Sequence, residues 1–252
     1  MKKVKELIVL YPSFDRGGAT ANLINFINEC ISRNIKIYLI SNIEKKKVKK
    51  IFSKKINLIN NNNFLNIQFF ERFFTSLSSI FSLITLFKKI KSENSLVVSF
   101  QSHIFPIIFT KLNLRKIIIR NSEDIISATK YADFKLPAYI IFFLKTIFYN
   151  FADGIITNST RSKNSLDKII FRNNSKLIFN PYLKKVYFRN NHTRKNQILS
   201  VGRFCKQKNQ IIALKAFSKF SKKFKNFKLI LIGDGKDKSK LKFICKQLNI
   251  LN

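Results

Sequence analysis

Four short stretches of this sequence carry residue types that can do chemistry, and each stands at the end of an apolar run. In DRGGAT, Gly17 and Gly18 lie between such a run and a helical pattern. Paired glycines let main-chain N–H groups close on a phosphate at a helix N-terminus, while the plain alternative is a tight turn ahead of an N-cap. In SVGRFCKQKN, Arg203 and Lys208 follow Gly202 and open another helical pattern. Arg clamps two phosphate oxygens and Lys supplies a compact charge, both beside a positive helix terminus; otherwise they are two more solvated cations. Gly233, Asp234 and Gly235 form a third such loop. It permits close backbone approach to a flat ligand such as a base, or makes a turn in which Asp234 caps the next helix. The fourth is His103 in VVSFQSHIF. A His at a strand end can orient a substrate hydroxyl or support charge in a transition state, and can equally be a packed loop residue. His192 sits in a wholly polar stretch and points to no chemistry.

These loops need elements to hold them. Leu7 to Tyr11 is a continuous apolar run bounded by Pro12, as expected of a strand buried on both faces of a parallel sheet. Leu23, Ile24, Ile27 and Ile31 recur at helical spacing and predict a helix ending near Arg33. Further strands are expected at Ile35 to Ser41, Leu96 to Phe100, Lys116 to Arg120, Gly154 to Asn158 and Lys176 to Asn180, with helices between them. Repeated β then α predicts a doubly wound parallel sheet. Lys45 to Asn63, with its KKKVKK and Asn run, is expected to be a loop with a short strand around Lys55 to Ile59. The polar stretch Lys184 to Asn196 is the candidate linker. The pattern restarts with strands Gln197 to Val201 and Lys228 to Ile232 and helices Gln210 to Lys223 and Lys238 to Leu248. The expected division is therefore residues 1–190 and 191–252, the second being a partial Rossmann-like domain of two βα units.

Composition narrows the function classes. Across 252 residues, 46% are hydrophobic and 27 are Phe, too apolar for a disordered chain despite a net charge of +35. The 48 Lys and Arg are scattered over nearly every segment. A nucleic-acid module concentrates them on one element among stacking aromatics, so no specific nucleic-acid partner is expected. An anionic membrane face would still attract such a surface. Cys30, Cys205 and Cys245 are odd in number and share no metal-ligand spacing with the two His, which points to a reduced cytosolic chain without a bound metal. Leu7 to Leu10 is too short for a signal sequence. Phe73 to Ile90 and Leu136 to Phe151 fall short of about 20 clean apolar residues, and are expected to be buried or interfacial helices.

The order of these motifs (a strand then GG, a His loop, ADGIITNS, LIFNPYL, ILSVGRFCKQKNQ and LILIGDGKDKSKLK) resembles the family 4 retaining glycosyltransferases, which have the GT-B architecture of two Rossmann-like domains. The tail from Ile198 to Leu248 carries the most specific likeness. The resemblance implies transfer of a sugar from a nucleoside-diphosphate sugar to a glycan or lipid-linked acceptor, with anomeric retention and no metal or other cofactor. It implies that Arg203 and Lys208 neutralise the donor diphosphate and that Gly17 and Gly18 face the same diphosphate. It further implies that Gly233, Asp234 and Gly235 line the nucleoside, and that His103 lies in the loop by the donor sugar and is the candidate catalytic residue. Arg120, Asn121 and Glu123 are expected on the acceptor side from their position at a strand end. The family also carries two glutamates, separated by seven residues, further along its second domain, so the chain is expected to be cut short within that domain. A role in cell-envelope polysaccharide or lipopolysaccharide synthesis, in the cytoplasm or peripherally on the inner membrane face, completes the expectation. The rivals are a noncatalytic nucleotide- or anion-binding fragment and a peripheral membrane-binding protein.

Overall fold

The computed structural model describes residues 4–14, 17–52, 56–60, 71–132, 134–181 and 195–250. The chain divides into two compact units, 1–184 and 185–252. The expected boundary at 190/191 and most of the expected linker lie outside the described residues.

The first unit is built on seven parallel strands in the order β3-β2-β1-β4-β5-β6-β7. They are β1 (Glu6–Leu10), β2 (Lys36–Ser41), β3 (Ile56–Asn60), β4 (Ser95–Ser99), β5 (Ile117–Asn121), β6 (Gly154–Thr157) and β7 (Ser175–Leu177). β1 is an inner strand, with Leu10 registered on Ile40 of β2 and Ser99 of β4. Its apolar run serves two cores, because successive strand residues point to opposite faces. Leu7 and Val9 pack with Leu23 and Ile27 of helix α1 (Gly18–Ser32). Ile8 and Leu10 pack with Leu83 of α3 (Glu71–Lys89) and Ile107 of α4 (Ile104–Leu112). The doubly wound α/β expectation therefore holds, with strand limits within three residues of those predicted, the largest difference being β7, which ends at Leu177.

One expectation is corrected. Lys45–Ile51 is a helix, α2, where a loop was expected. Its lysines suit a helix as well as a loop, and Val48 with the following Phe52 buries just enough apolar surface to dock it. The two greasy stretches also differ from each other. In α3, Ile80, Leu83, Leu86 and Phe87 are core. In α6 (Lys135–Phe148) no residue is buried. The remaining helices of this unit are α5 (Ile125–Lys130) and α7 (Thr160–Asp167).

The second unit comprises β8 (Gln197–Val201), α8 (Gln210–Lys223), β9 (Lys228–Ile232) and α9 (Lys238–Gln247), all close to prediction. β8 and β9 pair in parallel along their full length. Phe204, Leu214 and Leu241 form its buried centre.

Candidate functional site

In the first unit the chemistry-bearing loops gather where the strand order reverses. β1 is flanked by β2 on one side and β4 on the other. The loops leaving β1 and β4 therefore part at the carboxyl edge and open a crevice, the usual ligand position in such sheets. Gln101 bridges it, its side-chain oxygen accepting the Ser13 N–H at 3.1 Å. Tyr11 fixes the way out of β1: it is fully buried, and its hydroxyl shares a 2.8 Å hydrogen bond with Thr20 in the first turn of α1.

Gly17 and Gly18 lie on this edge. Gly17 has extended backbone (φ 171°), and no side chain caps α1 there. A Cβ built at either glycine meets no atom within 4 Å. The fold itself does not demand glycine at these positions. No side chain among the described residues caps α1, and its first-turn amides have no intrahelical acceptor.

His103 follows β4 and opens α4, its carbonyl accepting the Ile107 N–H at 3.0 Å. The preceding residue, Ser102, takes a left-handed φ of 53°, a strained setting for a residue with a Cβ. The ring is held on two sides: Nδ1 lies 2.9 Å from Ser99 Oγ, and the Tyr149 ring meets it edge-on at 6.0 Å. Burial first, then the Lys145 charge, lowers the imidazole to about 3. His103 is therefore neutral near pH 7, able to exchange a hydrogen bond with a hydroxyl but not to act as a cation.

The three expected acceptor-side residues have separate surroundings. Arg120, at the end of β5, is buried and packs over the Phe100 ring at 5.3 Å. Its guanidinium donates to Ser122 Oγ at 2.8 Å and to the side-chain oxygen of Asn180. It lines a cavity of about 610 Å³ with Asn22, Asn25, Phe100 and Asn180, between α1 and the segment after β7. Asn121 is 1% exposed and is occupied by Ser162 and the Glu123 carbonyl; it shapes the β5–α5 turn. Glu123 pairs with Lys145, the same cation that acts on His103. Of these three, Arg120 borders this cavity and the other two do not line it.

In the second unit, Arg203 and Lys208 are both exposed on the loop between β8 and α8. Neither has an ionic partner among the described residues. The loop is stiff beneath them. Phe204 is buried, Gln210 donates to the Arg203 carbonyl at 2.7 Å, and the stem of Lys208 lies over Gly202. The two exposed cations precede the N-terminus of α8, where cationic side chains and the helix dipole both favour negative charge.

The Gly233–Gly235 loop packs against this same loop. The Gly202 N–H donates to the Ile232 carbonyl and the Phe204 N–H to the Asp234 carbonyl, each at 2.9 Å. A Cβ on Gly233 would come within 1.9 Å of the Gly202 oxygen, and one on Gly235 within 2.4 Å of the Phe204 oxygen. These two glycines are required by the fold. Asp234 does not cap α9. Its carboxylate accepts the Gly235 N–H at 2.9 Å and faces Lys238 at 3.4 Å, and these contacts, the Gly235 amide foremost, hold its pKa below the ordinary value.

Sequence reasoning missed Ser99 and Gln101, which hold the His loop. The SFQSH run was their signal, since short polar side chains around a strand-end His are what such a loop needs. Among the described residues, no three His, Cys, Asp or Glu are grouped to hold a metal ion, and no helix is long and apolar enough to cross a membrane.

The second unit, which carries the cation pair, is also where the family likeness falls. Residues 185–252 match the glycosyl transferases group 1. An uncharacterized glycosyltransferase of Methanocaldococcus jannaschii is 30% identical over 131 residues, covering 46% of this chain and 32% of that protein. A Campylobacter jejuni α-1,4-N-acetyl-D-galactosaminyltransferase, named for an undecaprenol-diphosphate-linked acceptor, is 28% identical over 111 residues, covering 43% and 30%. The chain thus spans about a third of the length of the curated relatives it matches. Among solved structures, Anabaena HepE in complex with UDP-glucose aligns over 98% of this chain and 67% of its own, with TM-score 0.63 and 15% identity. At that identity the likeness is one of fold: an α/β, GT-B-like chain with Rossmann-like units.

Proposed function

We propose that this chain is a glycosyltransferase that moves a sugar from a nucleoside-diphosphate donor to a glycan or lipid-linked acceptor. The proposed transfer retains anomeric configuration, needs no metal, and serves cell-envelope polysaccharide or lipopolysaccharide synthesis at the cytoplasmic membrane face. The observation that carries the reading is the unpaired Arg203 and Lys208 on a rigid loop, inside the very segment that matches group 1 glycosyl transferases. When the bond between sugar and diphosphate breaks, negative charge builds on the leaving phosphate. Cations already fixed beside it stabilise that charge more than they stabilise the bound donor.

In this reading Gly17 and Gly18 serve a phosphate at the start of α1, the Asp234 loop serves the nucleoside, and neutral His103 holds a sugar hydroxyl. Arg120 borders the acceptor-side cavity, where Asn22, Asn25 and Asn180 offer amide groups suited to hydroxyls. The relatives support a hexose-type sugar: one is named for N-acetylgalactosamine transfer, and HepE holds UDP-glucose.

The test is transfer or hydrolysis from a panel of UDP- and GDP-linked hexoses, read by mass spectrometry with undecaprenol-diphosphate saccharides as acceptors. Arg203→Ala should lower turnover roughly tenfold or more, the equivalent of losing one charge-assisted contact. Equal turnover in parent and variant would remove the diphosphate role.

A further inference from the structure

The helix α6 wears its apolar side chains outward. Leu136, Ile140, Phe143 and Ile147 recur at steps of four, three and four, which aligns them on one face. The first three are 72%, 52% and 63% exposed, and Ile147 is exposed as well. The opposite face already contributes Phe142 to the core, so the outer stripe is not the helix's means of docking. The stripe continues past the helix end. Phe151 is exposed, and Phe171, 93% exposed, is tied alongside by its N–H to the Asn150 side chain at 2.7 Å. Single exposed apolar residues are ordinary, but a continuous stripe of this size marks an interaction surface.

Charge selects the partner. Exposed Lys130 and Lys135 stand at the start of α6, and near its end is exposed Arg172, whose side chain donates to the Asn150 carbonyl. The described acidic residues of the surrounding stretch are all matched to cations: Glu123 to Lys145, Asp124 to Arg161, Asp153 to Lys111 and Asp167 to Lys163. The surroundings of the stripe are therefore net positive. A symmetric pairing of two copies would set these cations against themselves. A convex helix face of Leu, Ile and Phe bordered by Lys suits a bilayer with anionic headgroups, where apolar insertion and electrostatic attraction add.

We infer that the outer face of α6, with Phe151 and Phe171, docks this chain on an anionic lipid surface. The inference is independent of sugar transfer, and its readouts use no sugar. The chain has no Trp, so Phe143→Trp supplies a single reporter at an exposed position. On vesicles of phosphatidylglycerol and phosphatidylcholine, its emission should shift to the blue and be quenched by lipids brominated in the acyl chains. On phosphatidylcholine alone the shift should be small. In flotation, Ile140→Ser with Phe143→Ser should release the chain from anionic vesicles while circular dichroism stays unchanged, since both side chains are more than half exposed. Lys130→Glu with Lys135→Glu should weaken binding at least fivefold per lysine, and high salt should do the same. Unshifted, unquenched emission on anionic vesicles would overturn the inference. So would a concentration-dependent dimer in sedimentation that the double Ser variant abolishes, because the stripe would then be a contact between copies.

Discussion

Glycine has opposite meanings in the two candidate loops. At Gly233 an added methyl would overlap the Gly202 carbonyl, and the φ of 158° is itself unfavourable to a side chain. Gly233→Ala should therefore destabilise the chain by about 3 kcal/mol or more, read by chemical denaturation. Gly18→Ala should change stability by no more than about 1 kcal/mol, because nothing lies where its Cβ would go; its effect should appear in donor affinity instead. A loss of stability at Gly18 matching that at Gly233 would return the first loop to a structural turn. The sequence shows two glycine pairs after two strands and offers no way to tell them apart, since the difference is a distance across to another loop. His103 was legible as a strand-end residue, but its neutrality was not, because that depends on burial and on Lys145. Its folded pKa is lowered from 6.5 to about 3, so within that window the unfolded chain binds the extra proton. Stability should fall as pH falls through it, by roughly 1.4 kcal/mol per pH unit at most. His103→Gln should flatten that slope in denaturation midpoints measured across the range, and an unchanged slope would mean the ring titrates alike folded and unfolded.

Elements were legible where burial is two-sided or periodic. β1 and β4 read as continuous apolar runs because both of their faces are covered, and α8 reads from its stripe. α2 did not, since a helix carried by Val48 with Phe52 just past its end looks like a charged loop. The outward face of α6 was also hidden, because periodicity shows that an apolar face exists without showing whether anything covers it. One cation has a structural place. Arg115 is buried, donates to Ser95 Oγ at 2.9 Å and to the Phe87 carbonyl at 2.8 Å, and covers the Phe87 ring at 4.5 Å. It also donates to the Ile90 carbonyl, and so closes the C-terminal end of α3. Arg115→Ala should cost about 2–4 kcal/mol in denaturation experiments, because it leaves buried carbonyls without donors. Arg115→Lys should recover only part of that, lacking the planar fork.

For the whole molecule, the scattered charge explains little by itself, and position separates the two cations proposed to act on the donor from the rest. Of 48 Lys and Arg, Arg203 and Lys208 are singled out by a loop that is pinned from below and open above. The strand restart at Gln197 was legible because β then α alternation breaks and resumes. The central claim is that this cation pair grips a nucleoside diphosphate, and titration calorimetry of the chain with UDP, GDP and ADP, and with the matching nucleosides, tests it most directly. For the preferred diphosphate, Arg203→Ala with Lys208→Ala should weaken binding roughly a hundredfold, with the nucleoside affected little and a Lys222→Ala, Lys223→Ala control left near parent affinity. If the control lost as much as the site variant, or if neither lost anything, the diphosphate seat would be contradicted and the two cations would be ordinary surface charge.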